Sequence, residues 1–85
     1  MAFKGKVALI TGAGSGMGQL AAWRLAAAGA KVAAFDVSEK GLAQTAEGKP
    51  GIKTYVVDVT DMEAVNKAVA QVEQDLGPID RVVTA

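Results

Sequence analysis

An open parallel α/β sheet with strand order 3-2-1-4 is the fold this sequence predicts, and three observations predict it. Short apolar runs rich in β-branched residues alternate with helix-like segments, in the order β-α-β-α-β-α-β. Each run is largely apolar and closes on a polar residue or directly before one, the habit of strands buried on both faces of a parallel sheet. Crossovers between parallel strands are right-handed, so two steps in one direction put the first two helices on one face. A fourth strand returning beside the first then puts the third helix on the opposite face. A crevice opens between strands 1 and 4 at their carboxyl ends.

The first strand is predicted at Lys6 to Thr11, and a glycine-rich turn follows it. Met17 to Ala28 is dominated by alanine and leucine, strong helix formers, and Gly29 stops it in the usual C-terminal role. Lys31 to Asp36 is the second strand. Ser38 is the expected N-cap of a short helix from Glu39 to Glu47, in which Gly41 costs about 1 kcal/mol relative to alanine. Lys49-Pro50-Gly51 forces a turn into the third strand, Ile52 to Val57. Thr60 followed by Glu63 reads as a capping box for the third helix. Met62, Val65, Val69, Val72 and Leu76 make its single apolar stripe. Gly77-Pro78 ends that helix, and Asp80 to Thr84 is the fourth strand.

Composition narrows the chemistry. The 85 residues are 51% hydrophobic, with nine basic and nine acidic side chains. Zero net charge gives no electrostatic basis for binding nucleic acid or an anionic membrane. The absence of cysteine and histidine excludes disulfides, thiolate or imidazole zinc sites and Ser-His-Asp chemistry within the chain. The longest apolar stretch, around Leu20 to Ala30, holds Arg24 and is too short to span a bilayer. Met1 to Lys6 leads straight into a strand with no cleavage signature, so a cytoplasmic globular chain is expected. The fourth strand runs to Ala85 with an uncovered edge, and only one helix covers the second face. The expectation is that residues 1–85 are the amino-terminal part of a larger single domain. A core of this size buries only about 60% of the unfolded chain's surface.

The chemistry concentrates in Thr11-Gly12-Ala13-Gly14-Ser15-Gly16-Met17-Gly18. Glycine at a strand-to-helix turn permits positive φ and close approach of a ligand to the backbone. The helix that follows offers unpaired N–H groups and about half a positive charge, which suits a pyrophosphate without any basic side chain. A Walker loop is excluded, since no Gly-Lys-Ser/Thr occurs. Gly-x-Gly-x-x-Gly also fails, because the last position falls on Met17 from Gly12 and on Gln19 from Gly14. Thr-Gly-x-x-x-Gly-x-Gly fits, at Thr11, Gly12, Gly16 and Gly18. The alternative is a tight turn that binds nothing.

With this spacing, with Asp36 closing strand 2, Asp58-Val59 after strand 3 and Val82-Val83 in strand 4, the chain resembles the short-chain dehydrogenase/reductase family over essentially all its length. The resemblance implies an NAD(P)-binding Rossmann-like, doubly wound sheet, of which this stretch would be the cofactor-binding part. Asp36 can accept hydrogen bonds from both hydroxyls of the adenosine ribose and would repel a 2′-phosphate. No Arg or Lys stands at Ser15, Val37 or Ser38 to clamp one. NAD is therefore expected over NADP; the alternative for Asp36 is a solvated strand end. By resemblance, Asp58 and the Val59 amide would meet the adenine, although Asp58 could instead help cap the helix after Thr60. Ser15 is either a ribose or phosphate partner or an ordinary loop residue. The resemblance also implies that Thr11 ties the loop to strand 4. Thr84 stands where the family's Asn-Asn-Ala-Gly begins, which leaves it a backbone contact. The expected cofactor set is Gly12, Ser15, Gly16, Met17, Gly18, Asp36, Val37, Asp58, Val59 and Thr84.

By the same resemblance, the parent protein would transfer hydride between NAD(H) and a small alcohol or ketone. It would use a tyrosine, a lysine and a serine, and would be a homo-oligomer. None of those catalytic residues is expected in this stretch: Tyr55 is followed four positions on by Val59, not lysine. The chain alone is expected to be inert and to bind the adenosine-diphosphate half of the cofactor at most. The competing readings are a non-catalytic NAD-sensing or scaffold module and a truncated reading frame. Trp23 and Leu20 are expected to serve packing or to form a patch for further structure.

Overall fold

The computed structural model describes residues 3–85. Met1 and Ala2, where the sequence was read for a leader, lie outside them. Strands β1 (Val7–Thr11), β2 (Lys31–Asp36), β3 (Ile52–Val56) and β4 (Arg81–Thr84) alternate with helices α1 (Gly16–Ala27), α2 (Glu39–Ala46) and α3 (Met62–Leu76). The sheet order is β3-β2-β1-β4, and every pairing is parallel. Asp36 faces Val56 in the ladder, and Thr11 pairs with both Phe35 and Thr84, so the carboxyl ends of all four strands lie along one edge.

Side chains alternate across a strand, and here the alternation feeds two separate cores. Ile10, Val32, Ala34 and Ile52 face α1 and α2, where they pack with Ala22 and Leu42. Val7, Leu9, Ala33 and Phe35 face α3, where they meet Val57 and Val72. The helices thus lie two on one face and one on the other, as crossover handedness requires. The alanines of α1 suit its place: Ala22 is fully buried, and a helix with small side chains sits close to the sheet.

Two expectations fail in instructive ways. The β3 and β4 runs are expected to be buried on both faces, yet only Ile52 of β3 is buried, Val56 is 60% exposed, and β4 has no buried residue. β3 is an edge strand with β2 as its one neighbour, so much of it meets solvent. The capping of α3 also differs. The N-cap is Asp61, whose carboxylate accepts from the Ala64 amide at 3.2 Å. The Thr60 hydroxyl is taken instead by Asp58, at 2.6 Å, so no Thr60–Glu63 capping box forms. The apolar stripe of α3 is graded: Val72 is buried, Val65, Val69 and Leu76 are half-buried, and Met62 is exposed. Among the described residues, no helix is long and apolar enough to cross a membrane.

Candidate functional site

Beyond Thr11 the backbone turns through left-handed conformations at Gly12 (φ 68°) and Gly16 (φ 55°), regions that strongly favour glycine. Helix α1 begins at Gly16. Its N-cap, Ser15, is extended, makes no side-chain capping bond and is exposed, and the first turn carries no acidic residue. The opening amides of α1 therefore keep their unpaired N–H groups and the positive end of the helix dipole. Gly18 serves another purpose. It is buried, and a Cβ there would run into the Gly12 carbonyl, so the helix start and the strand exit touch backbone to backbone.

Asp36 is tied to this loop. Its Oδ2 accepts from the Gly14 amide at 2.8 Å and its Oδ1 from the Ser38 amide at 2.9 Å. The contact is close enough that a Cβ on Gly14 would stand 2.9 Å from the Asp36 carboxyl carbon. The Ser38 amide, helped by those of Gly14 and Val37, holds the Asp36 carboxyl below the usual carboxylate range, against a smaller opposing effect of desolvation. A carboxylate offers about four lone-pair sites, so acceptor capacity remains after these bonds.

Beside Asp36, a cleft of about 130 Å³ is lined by Gly12, Asp36, Val37, Val57, Asp58 and Val59. No basic side chain lines it. Val37 (66%), Val59 (48%) and, in the first turn of α1, Met17 (80%) are exposed apolar residues along this edge. Asp58 Oδ1 accepts from both the Thr60 amide and hydroxyl, which lowers the Asp58 carboxyl; the Thr60 hydroxyl is the larger cause. The turn into α3 thus uses one oxygen of Asp58. Thr84 is exposed and pairs with Thr11. Residue 85 lies against the loop, since a Cβ on Gly12 would come within 3.2 Å of its carbonyl oxygen. Thr11 meets β4 through the ladder.

The structure therefore gathers Gly12, Asp36, Val37, Asp58 and Val59 around one cleft. Ser15, Gly16, Met17 and Gly18 form the helix start, and Thr84 lies at the neighbouring strand end. Sequence reading missed Gly14, which donates to Asp36, and the buried Gly41 and Thr45 of α2, which pack beneath the loop. A glycine inside a helix, at a cost in propensity, was the one available signal. A larger cavity of about 450 Å³ lies on the α3 face, between Leu9, Val65, Val69 and Val82. Thr11 and Glu73 are its sole polar lining residues, so it lacks the convergent donors that a charged ligand needs.

Comparison with known proteins agrees with this fold. The sequence pattern of the family described as "short chain dehydrogenase" matches residues 6–85. The 3-oxoacyl-[acyl-carrier-protein] reductase FabG of Thermotoga maritima is 42% identical, over 98% of this chain and 35% of that protein. The 2,3-dihydro-2,3-dihydroxybenzoate dehydrogenase of Bacillus subtilis is 38% identical, over 94% of this chain and 32% of that protein. Among solved structures, the 3-ketoacyl-(acyl-carrier-protein) reductase of Brucella melitensis, complexed with NADH, superposes with a TM-score of 0.88. It is 36% identical, with 93% of this chain and 33% of that one covered. A short chain dehydrogenase from Bacillus anthracis gives a TM-score of 0.90 at 32% identity, over 96% of this chain and 34% of that one. The chain spans about a third of the length of the curated relatives it matches.

Proposed function

The chain belongs to the short chain dehydrogenase family, with its NAD(P)-binding Rossmann fold, and from that premise we propose that the strand-end cleft and glycine loop bind NAD in preference to NADP. The pyrophosphate is held by the opening amides of α1, from Ser15 through Gly16, Met17 and Gly18, with Gly12 bare enough for close approach. The remaining acceptor capacity of Asp36 takes the adenosine ribose hydroxyls, beside Val37. The adenine lies in the cleft against Val59, where the unused oxygen of Asp58 accepts from its amine. Thr84 offers a backbone contact at the end of β4.

The fit rests on features of this chain. The cleft is shaped by glycine where a Cβ would intrude, the helix start lacks a capping side chain, and Asp36 is held in place by two amides. A 2′-phosphate about 4 Å from Asp36 would cost roughly 4 kcal/mol per unit charge at an effective dielectric of 20, less after screening by solvent and salt. When bound, the nicotinamide supplies the hydride donor or acceptor. The parent protein is thereby an NAD-dependent oxidoreductase acting on an alcohol or ketone, and residues 1–85 contribute cofactor binding and orientation.

The observation that carries this reading is the carboxylate of Asp36, anchored by the loop it adjoins and facing a cleft without basic side chains. Calorimetric titration of the chain with NAD and NADP tests it. NAD is expected to bind more tightly, and Asp36→Ala to narrow the difference. Equal affinities in the wild-type chain, or selectivity unchanged in Asp36→Ala, would overturn the assignment.

A further inference from the structure

Thr45 is the one fully buried polar side chain among the described residues, and its hydroxyl is spent on the glycine loop. It donates to the Ala13 carbonyl at 2.7 Å and accepts from Gln19 Nε2 of α1 at 3.0 Å. Its other neighbour, the Gly41 carbonyl at 3.0 Å, is the ordinary partner of a helical threonine four residues on. The shorter contact to Ala13 therefore takes the single hydroxyl proton. Trp23 Nε1 of α1 donates to the Thr45 carbonyl at 2.9 Å, so α1 grips this residue through side chain and backbone.

The next carbonyl of the loop is held as well. Gly41, buried in α2, lies against the Gly14 carbonyl so closely that a Cβ would overlap it. On the opposite side, the Ala13 amide donates to the Phe35 carbonyl at 3.0 Å and the Gly14 amide to Asp36. Residues 13 and 14 are thus fixed on both sides, amides by β2 and carbonyls by α2, immediately before the amides from Ser15 onward.

We propose that Thr45 is a positioning residue for dinucleotide binding: its hydroxyl anchors the Ala13 carbonyl, with Gln19 orienting that hydroxyl, and so sets the place of the pyrophosphate-binding amides. The role rests on the cofactor reading above and deepens it. Thr45 touches no part of the cofactor and acts through the loop.

Thr45→Val keeps the shape and removes the hydroxyl, whereas Thr45→Ser keeps the hydroxyl. Two readouts separate positioning from simple packing: NAD affinity by calorimetry, and amide hydrogen exchange of residues 13–18 relative to the β1 and β2 amides. Thr45→Val should weaken NAD about tenfold, the equivalent of one lost hydrogen bond, and speed exchange in the loop more than in the strands. Thr45→Ser should hold both near wild type. Wild-type affinity and loop protection in Thr45→Val, or equal losses in Val and Ser, would overturn the proposal. Should the wild-type chain not bind NAD, the cofactor reading fails, and loop exchange still decides whether Thr45 positions the loop. If Thr45→Val does not fold, Gln19→Ala takes its place. It should loosen the loop selectively, and wild-type loop protection would refute the role.

Discussion

Replacing Gly18 by alanine sets two effects of opposite sign against each other. Within a helix, alanine is favoured over glycine by about 1 kcal/mol. Against that, the new Cβ would run into the Gly12 carbonyl and come within 3.1 Å of the Ala13 Cα, both backbone atoms with no rotamer to relieve them. Overpacking of a buried site costs typically about 1–3 kcal/mol, so net destabilisation of roughly 0–2 kcal/mol is expected. The larger consequence is for binding. Relief requires moving Gly12, and with it the loop that places the α1 amides. A loss of about tenfold in NAD affinity, or 1.4 kcal/mol, is the expected scale. Urea unfolding and calorimetric NAD titration of the two chains measure both quantities. A Gly18→Ala chain stabilised by about 1 kcal/mol with wild-type NAD affinity would refute the close approach, because helix propensity alone gives that outcome.

Asp61→Ala should cost about 1 kcal/mol in urea unfolding as the loss of a true N-cap, and more than Thr60→Ala; the reverse order would restore Thr60 as the cap. The lowered carboxyl of Asp36 stabilises the fold fully above the unfolded value of about 3.9, and that contribution is lost as pH falls through the lower folded value. Acid unfolding should accordingly show a smaller dependence on pH in Asp36→Asn, and an unchanged profile would contradict the two amide bonds. Tyr55 is raised, first by desolvation and then by its hydrogen bond to Asp75 at 2.8 Å. Its contribution is present below the unfolded value of about 10 and lost as pH rises through the folded value. Tyr55→Phe should remove that part of the alkaline destabilisation, as followed by circular dichroism against pH, and an identical alkaline limb would count against it.

The topology was legible because handedness and alternation leave few choices once seven elements are recognised. Val7 and Leu9 against Ile10 already assign the two faces of β1. The exposure of β3 was legible in part, since the order 3-2-1-4 makes it an edge and Lys53 and Thr54 interrupt its apolar run. At α3, Thr60 and Asp61 are adjacent cap candidates, and the choice turns on Asp58 engaging the Thr60 hydroxyl first. In the site, the spacing of Gly12, Gly16 and Gly18 and the acid at position 36 could be read directly. The contribution of α2 could not, because Thr45 reaches Ala13 and Gly41 reaches Gly14 only through folding, with no local pattern to announce either contact.

The central claim is that a dinucleotide seats at the carboxyl edge of the sheet on main-chain amides. Residue-resolved ¹H–¹⁵N spectra of the chain titrated with NAD test it most directly. The account predicts saturable shifts centred on the amides of Ser15 to Gly18, Val37 and Val59, with the α3 face from Val65 to Val72 unmoved. Shifts confined to the α3 face, or no saturable change in the glycine loop, would contradict it.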